Sequence, residues 1–276
     1  MTRVEHAARQ IAEADALIIT AGAGMGVDSG LPDFRGDKGF WEAYPALHGY
    51  SFADMANPQW FYNDPHRAWG FYGHRLNLYR DVTPHDGFQI LRQWATQKND
   101  KYFIFTSNVD GQFQKAGFSG HQIVECHGSI HHVQDLEGTG AIWSADEVTV
   151  DVDERILKAR DPLPRHPSNQ KIIRPNILMF GDGSWNDART NAQERRYNRW
   201  LNEHKNSRLV VIEMGAGTAI PTVRNHGEFL ASRLKACLIR INPRETEFER
   251  ANISSIPIGA GAKEGLTKIQ EAYNLL

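Results

Sequence analysis

Ala16-Leu17-Ile18-Ile19-Thr20-Ala21-Gly22-Ala23-Gly24-Met25-Gly26 is the stretch on which the fold turns. Ala16 to Ile19 is apolar without alternation, which is how a strand reads when both faces of a parallel sheet are covered. The glycines that follow let backbone N–H groups approach a phosphate closely. The spacing is nevertheless wrong for an ordinary dinucleotide fingerprint. That motif needs a third glycine two residues on, a long helix and a second strand; here Pro32 interrupts and an aromatic segment takes the strand's place. Hydride transfer on a standard dehydrogenase fold is therefore disfavoured.

Working outward, Tyr102 to Phe105, Leu209 to Ile212 and Leu238 to Ile241 are apolar runs of the same kind. They lead into Ser107-Asn108-Val109-Asp110-Gly111, Glu213-Met214-Gly215-Ala216-Gly217 and Asn242-Pro243. Ligands bind beyond the carboxyl ends of strands in an open parallel sheet, so these loops point to one shared site. Between the strands lie helical patterns. Val4, Ala7, Ala8 and Ile11 share a helix face in the first fifteen residues, and Pro84 to Trp94 reads as a helix with Thr83 as cap and Pro84 in its first turn. Strand and helix alternate, hence an α/β class. Residues 37–81, rich in Trp and Tyr and helical from about Pro65, and residues 128–174 exceed an ordinary βα connection, so both read as insertions.

The chain has 276 residues, with 31 Lys+Arg against 33 Asp+Glu and a formal charge of -2. This balance gives no electrostatic footprint for nucleic acid or an anionic membrane. No apolar run approaches the ~18–20 residues of a membrane span. The amino terminus lacks the apolar stretch of a secretory signal, so the cytoplasm is the expected address. Two cysteines, Cys126 and Cys237, cannot build a disulfide framework or a four-cysteine zinc site. The pair His131-His132 has no spaced Cys, Asp or Glu to complete a metal site, and no metal is expected.

The run Gly22-Ala23-Gly24-Met25-Gly26-Val27-Asp28-Ser29-Gly30-Leu31-Pro32-Asp33-Phe34-Arg35-Gly36 resembles the GAGxSxxSGIPDFRG signature of the sirtuins, NAD-dependent protein deacylases. Thr106-Ser107-Asn108-Val109-Asp110-Gly111 with Ala116-Gly117 is similar to their TQNIDG…AG motif. Glu125-Cys126-His127-Gly128 resembles the catalytic ELHG, and Arg174-Pro175-Asn176-Ile177-Leu178-Met179-Phe180-Gly181-Asp182 resembles RPxVVxFGE. Order and separation agree across most of the chain.

The resemblance implies a Rossmann-like parallel sheet domain from residues 1–36, 84–127 and 175–276, and a smaller domain from the insertions 37–83 and 128–174. It implies NAD in the cleft and an acylated protein or peptide as substrate, with nicotinamide and O-acyl-ADP-ribose as products. Asn108 and Asp110 would hold the ribose and the nicotinamide carboxamide where the glycosidic bond can stretch. Phe34 would shield the emerging cation from water. His127 would take a proton from a ribose hydroxyl, an exchange suited to an imidazole. Gly22, Ala23, Gly24, Gly26 and Ser107 would face the cofactor, and Asp33 and Arg35 would order the loop over it. Gly215, Gly217 and Asn242 would line its adenosine end, Asn242 bonding a ribose hydroxyl. Ile177, Phe180 and Gly181 fall in the segment that receives acyl-lysine.

Tyr72 and Arg75, at i and i+3 on a helix, resemble the Tyr-x-x-Arg of sirtuins that remove acidic acyl groups. Cys126 and His127, successive on an extended strand, would point to opposite faces and form no dyad. The chain departs from the family in lacking the two Cys pairs after the histidine, and in having Gly26 for Ser and Ser107 for Gln. These departures keep two other readings open: an ADP-ribosyltransferase or NAD glycohydrolase, and a non-catalytic NAD or ADP-ribose sensor.

Overall fold

A computed structural model describes residues 1–33 and 36–276, with the side chains of Gly36, Asp37 and Lys38 left aside. In chain order the elements are α1 (Arg3–Glu13), β1 (Ala16–Ala21), α2 (Gly36–Ala43), α3 (Phe52–Met55), α4 (Trp60–Asn63), α5 (Pro65–Asp81), α6 (Asp86–Gln97), β2 (Tyr102–Thr106), α7 (Gln112–Lys115) and β3 (Ile123–Glu125). Then follow β4 (Gly128–Asp135), β5 (Trp143–Ser144), β6 (Val152–Asp153), β7 (Lys158–Ala159), β8 (Ile173–Ile177), α8 (Ala188–Glu203), β9 (Leu209–Met214), α9 (Thr222–Leu234), β10 (Cys237–Ile241), β11 (Ser255–Ile258) and α10 (Ala262–Tyr273). No helix among the described residues is long and apolar enough to cross a membrane.

Six strands form a parallel sheet in the order β11-β10-β9-β1-β2-β3. The four apolar runs of the sequence are its central strands, and every residue of β1, β2, β9 and β10 is buried. Ile11, Leu91, Trp94, Leu266 and Ile269, from α1, α6 and α10, cover Leu17 and Ile19 on one face. Tyr197, Trp200 and Leu230, from α8 and α9, cover Ile18 and Phe103 on the other. Each large apolar side chain so buried contributes about 1.5–3 kcal/mol. The result is a Rossmann-like α/β domain.

Local signals set most helix ends. Thr2 and Glu5 close a capping box on α1, and Asp64 caps α5 with Pro65 in its first turn. The helix expected from Pro84 starts two residues later. His85, in extended backbone conformation, is its N-cap in place of Thr83: its ring Nδ1 accepts from Gly87 N at 3.0 Å, while its Nε2 bonds Met25 O at 2.9 Å. That second bond anchors His85 to the glycine-rich loop after β1 and keeps it out of the helix.

The two insertions fold onto each other. β5-β4-β8 make an antiparallel sheet and β6 pairs with β7. Phe61, Trp69, Phe71, Tyr72 and Leu76 from the first insertion share an apolar core with Ile130, Val133, Val150 and Leu157 from the second. The residue-175 boundary expected from the sequence falls inside β8. Helix α5 carries most of the polar joints. Trp69 Nε1 donates to Ile173 O at 2.9 Å, Asn77 Nδ2 to Val150 O at 3.0 Å, and the Arg80 guanidinium to Val148 O and Ala145 O at 2.7 and 2.6 Å. Gly70 allows contact with the loop before β7, where an added Cβ would lie 2.2 Å from Leu157 O. This packing is made by the chain's own side chains and backbone. Gly70→Ala, which drives a methyl into backbone, is expected to cost about 1–3 kcal/mol in urea unfolding.

Candidate active site

Strand ends and loops converge on a cavity of about 380 Å³ above the carboxyl edge of the parallel sheet. Its floor is built where β1 and β9 end side by side. Gly22 N bonds Met214 O and Gly24 N bonds Gly215 O, both at 3.0 Å. An added Cβ on Gly24 would stand 2.8 Å from Gly215 Cα, and Gly215 itself has φ +60°, so the two loops touch only because these positions lack side chains. Among the described residues, no backbone carbonyl takes the N–H of Ala23, Ala216 or Gly217. Free N–H groups over a glycine cradle fit the pyrophosphate of a dinucleotide.

The loop after β2 forms one wall. Asn108 Nδ2 donates to Gly22 O at 3.0 Å and Ser107 N to Ala21 O at 3.2 Å, which fixes this loop to the glycine loop. Asp110 Oδ1 accepts from Gln112 N at 2.8 Å. Burial pushes the Asp110 carboxyl up to about 6, against the downward pull of its backbone hydrogen bonds and of Arg75. His127 lines the same cavity, and burial lowers its pKa, which leaves a neutral imidazole at physiological pH.

The opposite wall is the segment after β8. Leu178 N donates to His127 O at 3.0 Å, and Phe180 N to Ala56 O at 2.8 Å. Arg174 and Asp182, both almost wholly buried, form a two-pronged ion pair, and Asp182 also accepts from Met179 N and Ser184 N. The eight-residue spacing of Arg174 and Asp182 is thus what curls Ile177–Asp182 into the cavity rim. Leu178 and Phe180 remain exposed there, an apolar edge suited to an extended peptide.

At the inner end stand Tyr72 and Arg75. Arg75 is only 5% exposed, its Nε donates to Tyr79 Oη at 3.0 Å, and its guanidinium carbon lies 5.2–5.9 Å from the rings of Phe52, Phe71, Tyr72 and Tyr79. Burial pushes the Tyr72 hydroxyl up to about 12, so it stays protonated.

The cavity therefore gathers Gly22, Ala23, Gly24, Asp33, Ser107, Asn108, Asp110, His127, Gly215 and Gly217 with Tyr72, Arg75, Ile177 and Phe180. Gly26 is buried within the turn of its own loop, and Gly181 sits on the surface beyond the rim; neither lines it. Phe34 and Arg35 lie outside the described residues. Asn242 does not line the cavity. It is wholly buried beneath the loops: its Nδ2 donates to Ala216 O at 2.9 Å and its Oδ1 accepts from Arg244 N and Glu245 N at 3.0 Å. It ties the ends of β9 and β10 together, with one Nδ2 hydrogen engaged by Ala216 O.

Cys126 and His127 are also placed differently from expectation, in a turn after β3 rather than on a strand. The turn still separates them: Cys126 packs beside the α8–α9 core, where burial raises its thiol to about 12, and His127 enters the cavity. The sequence reading missed Tyr79, Phe52 and Ala56 as lining residues. Tyr79 had a signal, at i+4 from Arg75 on the same helix face; Phe52 and Ala56 arrive only through tertiary packing.

A sequence profile of the Sir2 family matches residues 22–200. A protein of Deinococcus radiodurans named NAD-dependent protein deacylase is 30% identical over 250 residues, covering 87% of this chain and 86% of its own. One of the same name from Aquifex aeolicus is 25% identical over 259 residues, covering 92% and 94%. Among solved structures, a Sir2 homologue crystallised with NAD superposes with a TM-score of 0.74 at 22% identity, covering 98% of this chain and 94% of that one. The chain belongs to the Sir2 family.

The Asp110 carboxyl gives a test of the site's electrostatics. Its folded pKa stands above the unfolded value, so the folded protein holds the proton more tightly and stability falls as pH rises from about 4 to 6. Asp110→Asn keeps the Gln112 bond and removes that titration. It is expected to be more stable than the parent at pH 8, by at most about 3 kcal/mol, and to converge with it near pH 4 in urea melts.

Proposed function

We propose that the protein is an NAD-dependent protein-lysine deacylase that yields nicotinamide and O-acyl-ADP-ribose. The observation that carries this reading is the meeting, in one cavity, of the glycine cradle, Asn108, Asp110 and His127 with the peptide-like rim of Ile177 to Phe180. When bound, NAD supplies an electrophilic ribose carbon once its nicotinamide departs.

The chain's residues do the rest. The N–H groups of Ala23, Ala216 and Gly217 receive the pyrophosphate. Asp110 accepts the carboxamide N–H, and Asn108, held by Gly22 O, orients the ribose. Asp33 lines the cavity, and the resemblance of the motif to the sirtuin signature assigns Phe34 to keeping water from the emerging cation and Arg35, with Asp33, to the cofactor side. His127, neutral and facing the cavity, takes a proton at its free ring nitrogen from a ribose hydroxyl. The rim binds substrate backbone beside Leu178 and Phe180. The reading carries with it the division into a nucleotide domain and a two-insertion substrate domain. It places the protein in the cytoplasm, where free thiols such as Cys126 and Cys237 persist.

Arg75 at the inner end adds a preference for acidic acyl groups. A guanidinium fork beside a protonated Tyr72 hydroxyl can receive the distal carboxylate of a succinyl-lysine.

Nicotinamide release, followed by mass spectrometry with acetyl-, succinyl- and unmodified peptides, tests the reading. Release that depends on acyl-peptide is expected. Release without peptide would point instead to a glycohydrolase or ADP-ribosyl transfer, and no release to a sensor. His127→Ala is expected to abolish deacylation with its circular dichroism spectrum unchanged. Arg75→Met should lower kcat/KM on succinyl-lysine at least about tenfold more than on acetyl-lysine; equal losses would remove the acidic-acyl preference.

A further inference from the structure

The His131-His132 pair stood out in the sequence and has no place in the chemistry above. β4 pairs with β8 through Gly128↔Ile177 and Ser129↔Asn176, then resumes at Val133↔Pro175, so residues 130–132 form an irregularity in the ladder. Bulges of this kind re-aim side chains beside active sites. Here the freed groups turn to the loop after β2. Ile130 N donates to Val109 O at 3.0 Å, and His131 Nε2 lies 2.9 Å from Asp110 O. A carbonyl only accepts, so the Nε2 atom carries the hydrogen. The bulge is itself held: His131 O accepts from Ala145 N at 2.9 Å, and His131 N donates to Ser129 Oγ at 3.2 Å.

Gly111 records how close the imidazole lies. Its φ is +71°, and an added Cβ would stand 2.6 Å from His131 Cδ2. The peptide group joining Asp110 to Gly111 is thereby gripped from the small sheet, while the Asp110 carboxylate on the same residue is turned toward Gln112 N and the cavity.

We propose that His131 is a positioning residue for the cofactor's nicotinamide end: its bond to the Asp110 carbonyl, made possible by the bulge in β4, sets where the Asp110 carboxylate stands. The inference rests on Asp110 accepting the nicotinamide carboxamide. His131 is not among the residues that line the cavity. Burial lowers its pKa, so it works as a neutral donor. A packing role alone would affect stability and every ligand alike, whereas positioning affects the nicotinamide half.

Two ligands separate these roles: carba-NAD, whose glycosidic bond cannot be cleaved, and ADP-ribose, which lacks nicotinamide. By isothermal titration calorimetry, His131→Leu is expected to weaken carba-NAD roughly tenfold and ADP-ribose by less than about twofold. His131→Gln, whose amide N–H can reach the same carbonyl, should restore carba-NAD to within about twofold of the parent. In turnover, His131→Leu should raise KM for NAD with kcat changed less than about threefold. Equal weakening of both ligands, no weakening of either, or failure of Gln to rescue would overturn the proposal. Asp110→Asn serves as control. If it weakens carba-NAD and His131→Leu does not, the tether alone fails; if it has no effect, the assignment of Asp110 fails and the tether with it.

Discussion

Backbone contact between the loops after β1 and β9 is the constraint on which the rest of this structure depends. Gly24 N reaches Gly215 O, and Gly22 N reaches Met214 O, because neither glycine loop carries a Cβ at the crossing. The contact closes the floor of the cavity, where the N–H groups of Ala23, Ala216 and Gly217 have no backbone partner among the described residues. Asn108 then bridges to Gly22 O, so the loop after β2 takes its position from the same crossing. A side chain at Gly24 or Gly215 would separate the strand ends and displace both the phosphate cradle and the wall that carries Asp110.

Buried charge holds the outlying loops to this floor. Arg240, fully buried, pairs with Glu213 at 2.5 Å and Glu228 at 3.0 Å, while the backbone of Glu249 and Arg250 donates to Glu228. Arg224 donates to Ala216 O, Glu245 O and Glu247 O at 3.3, 2.9 and 2.7 Å. Removing one partner from such a network leaves a charge uncompensated in the interior, a larger penalty than the pair's net contribution. These arginines therefore fix the shape of the loops after β9 and β10, together with Asn242, whose amide donates to Ala216 O. The Arg174–Asp182 pair does the equivalent work at the cavity rim after β8.

The join between the two sheets is made by few atoms. β3 runs through a two-residue turn into β4, and that turn puts His127 in the cavity while its carbonyl takes Leu178 N. The irregular part of β4 reaches back to Val109 and Asp110. The inserted sheet and the nucleotide site thus meet at the residues to which the chemistry is assigned. Helix α5 joins them on the other side, with Trp69, Asn77 and Arg80 directed to the second insertion and Tyr72, Arg75 and Tyr79 to the cavity.

By itself the sequence determined the central strands, the amino-terminal helix and the helical stretch from about Pro65, because these are local patterns of apolar periodicity; the glycine, Asn108–Asp110, His127 and Arg174–Asp182 motifs were legible through their resemblance to the sirtuin signatures. Its reading of Thr83 as a cap failed because a long-range bond from His85 to Met25 O decides where α6 begins. At Asn242 the sequence shows only a small polar residue at a strand end; the packed loops show its amide bonded to Ala216 O and to the backbone of Arg244 and Glu245. Only the tertiary structure decided that Gly26 and Gly181 stand off the cavity, that Cys126 and His127 part at a turn, and that α5 serves both the small sheet and the inner pocket. The last of these depends on contacts between residues dozens of positions apart, which no local pattern encodes.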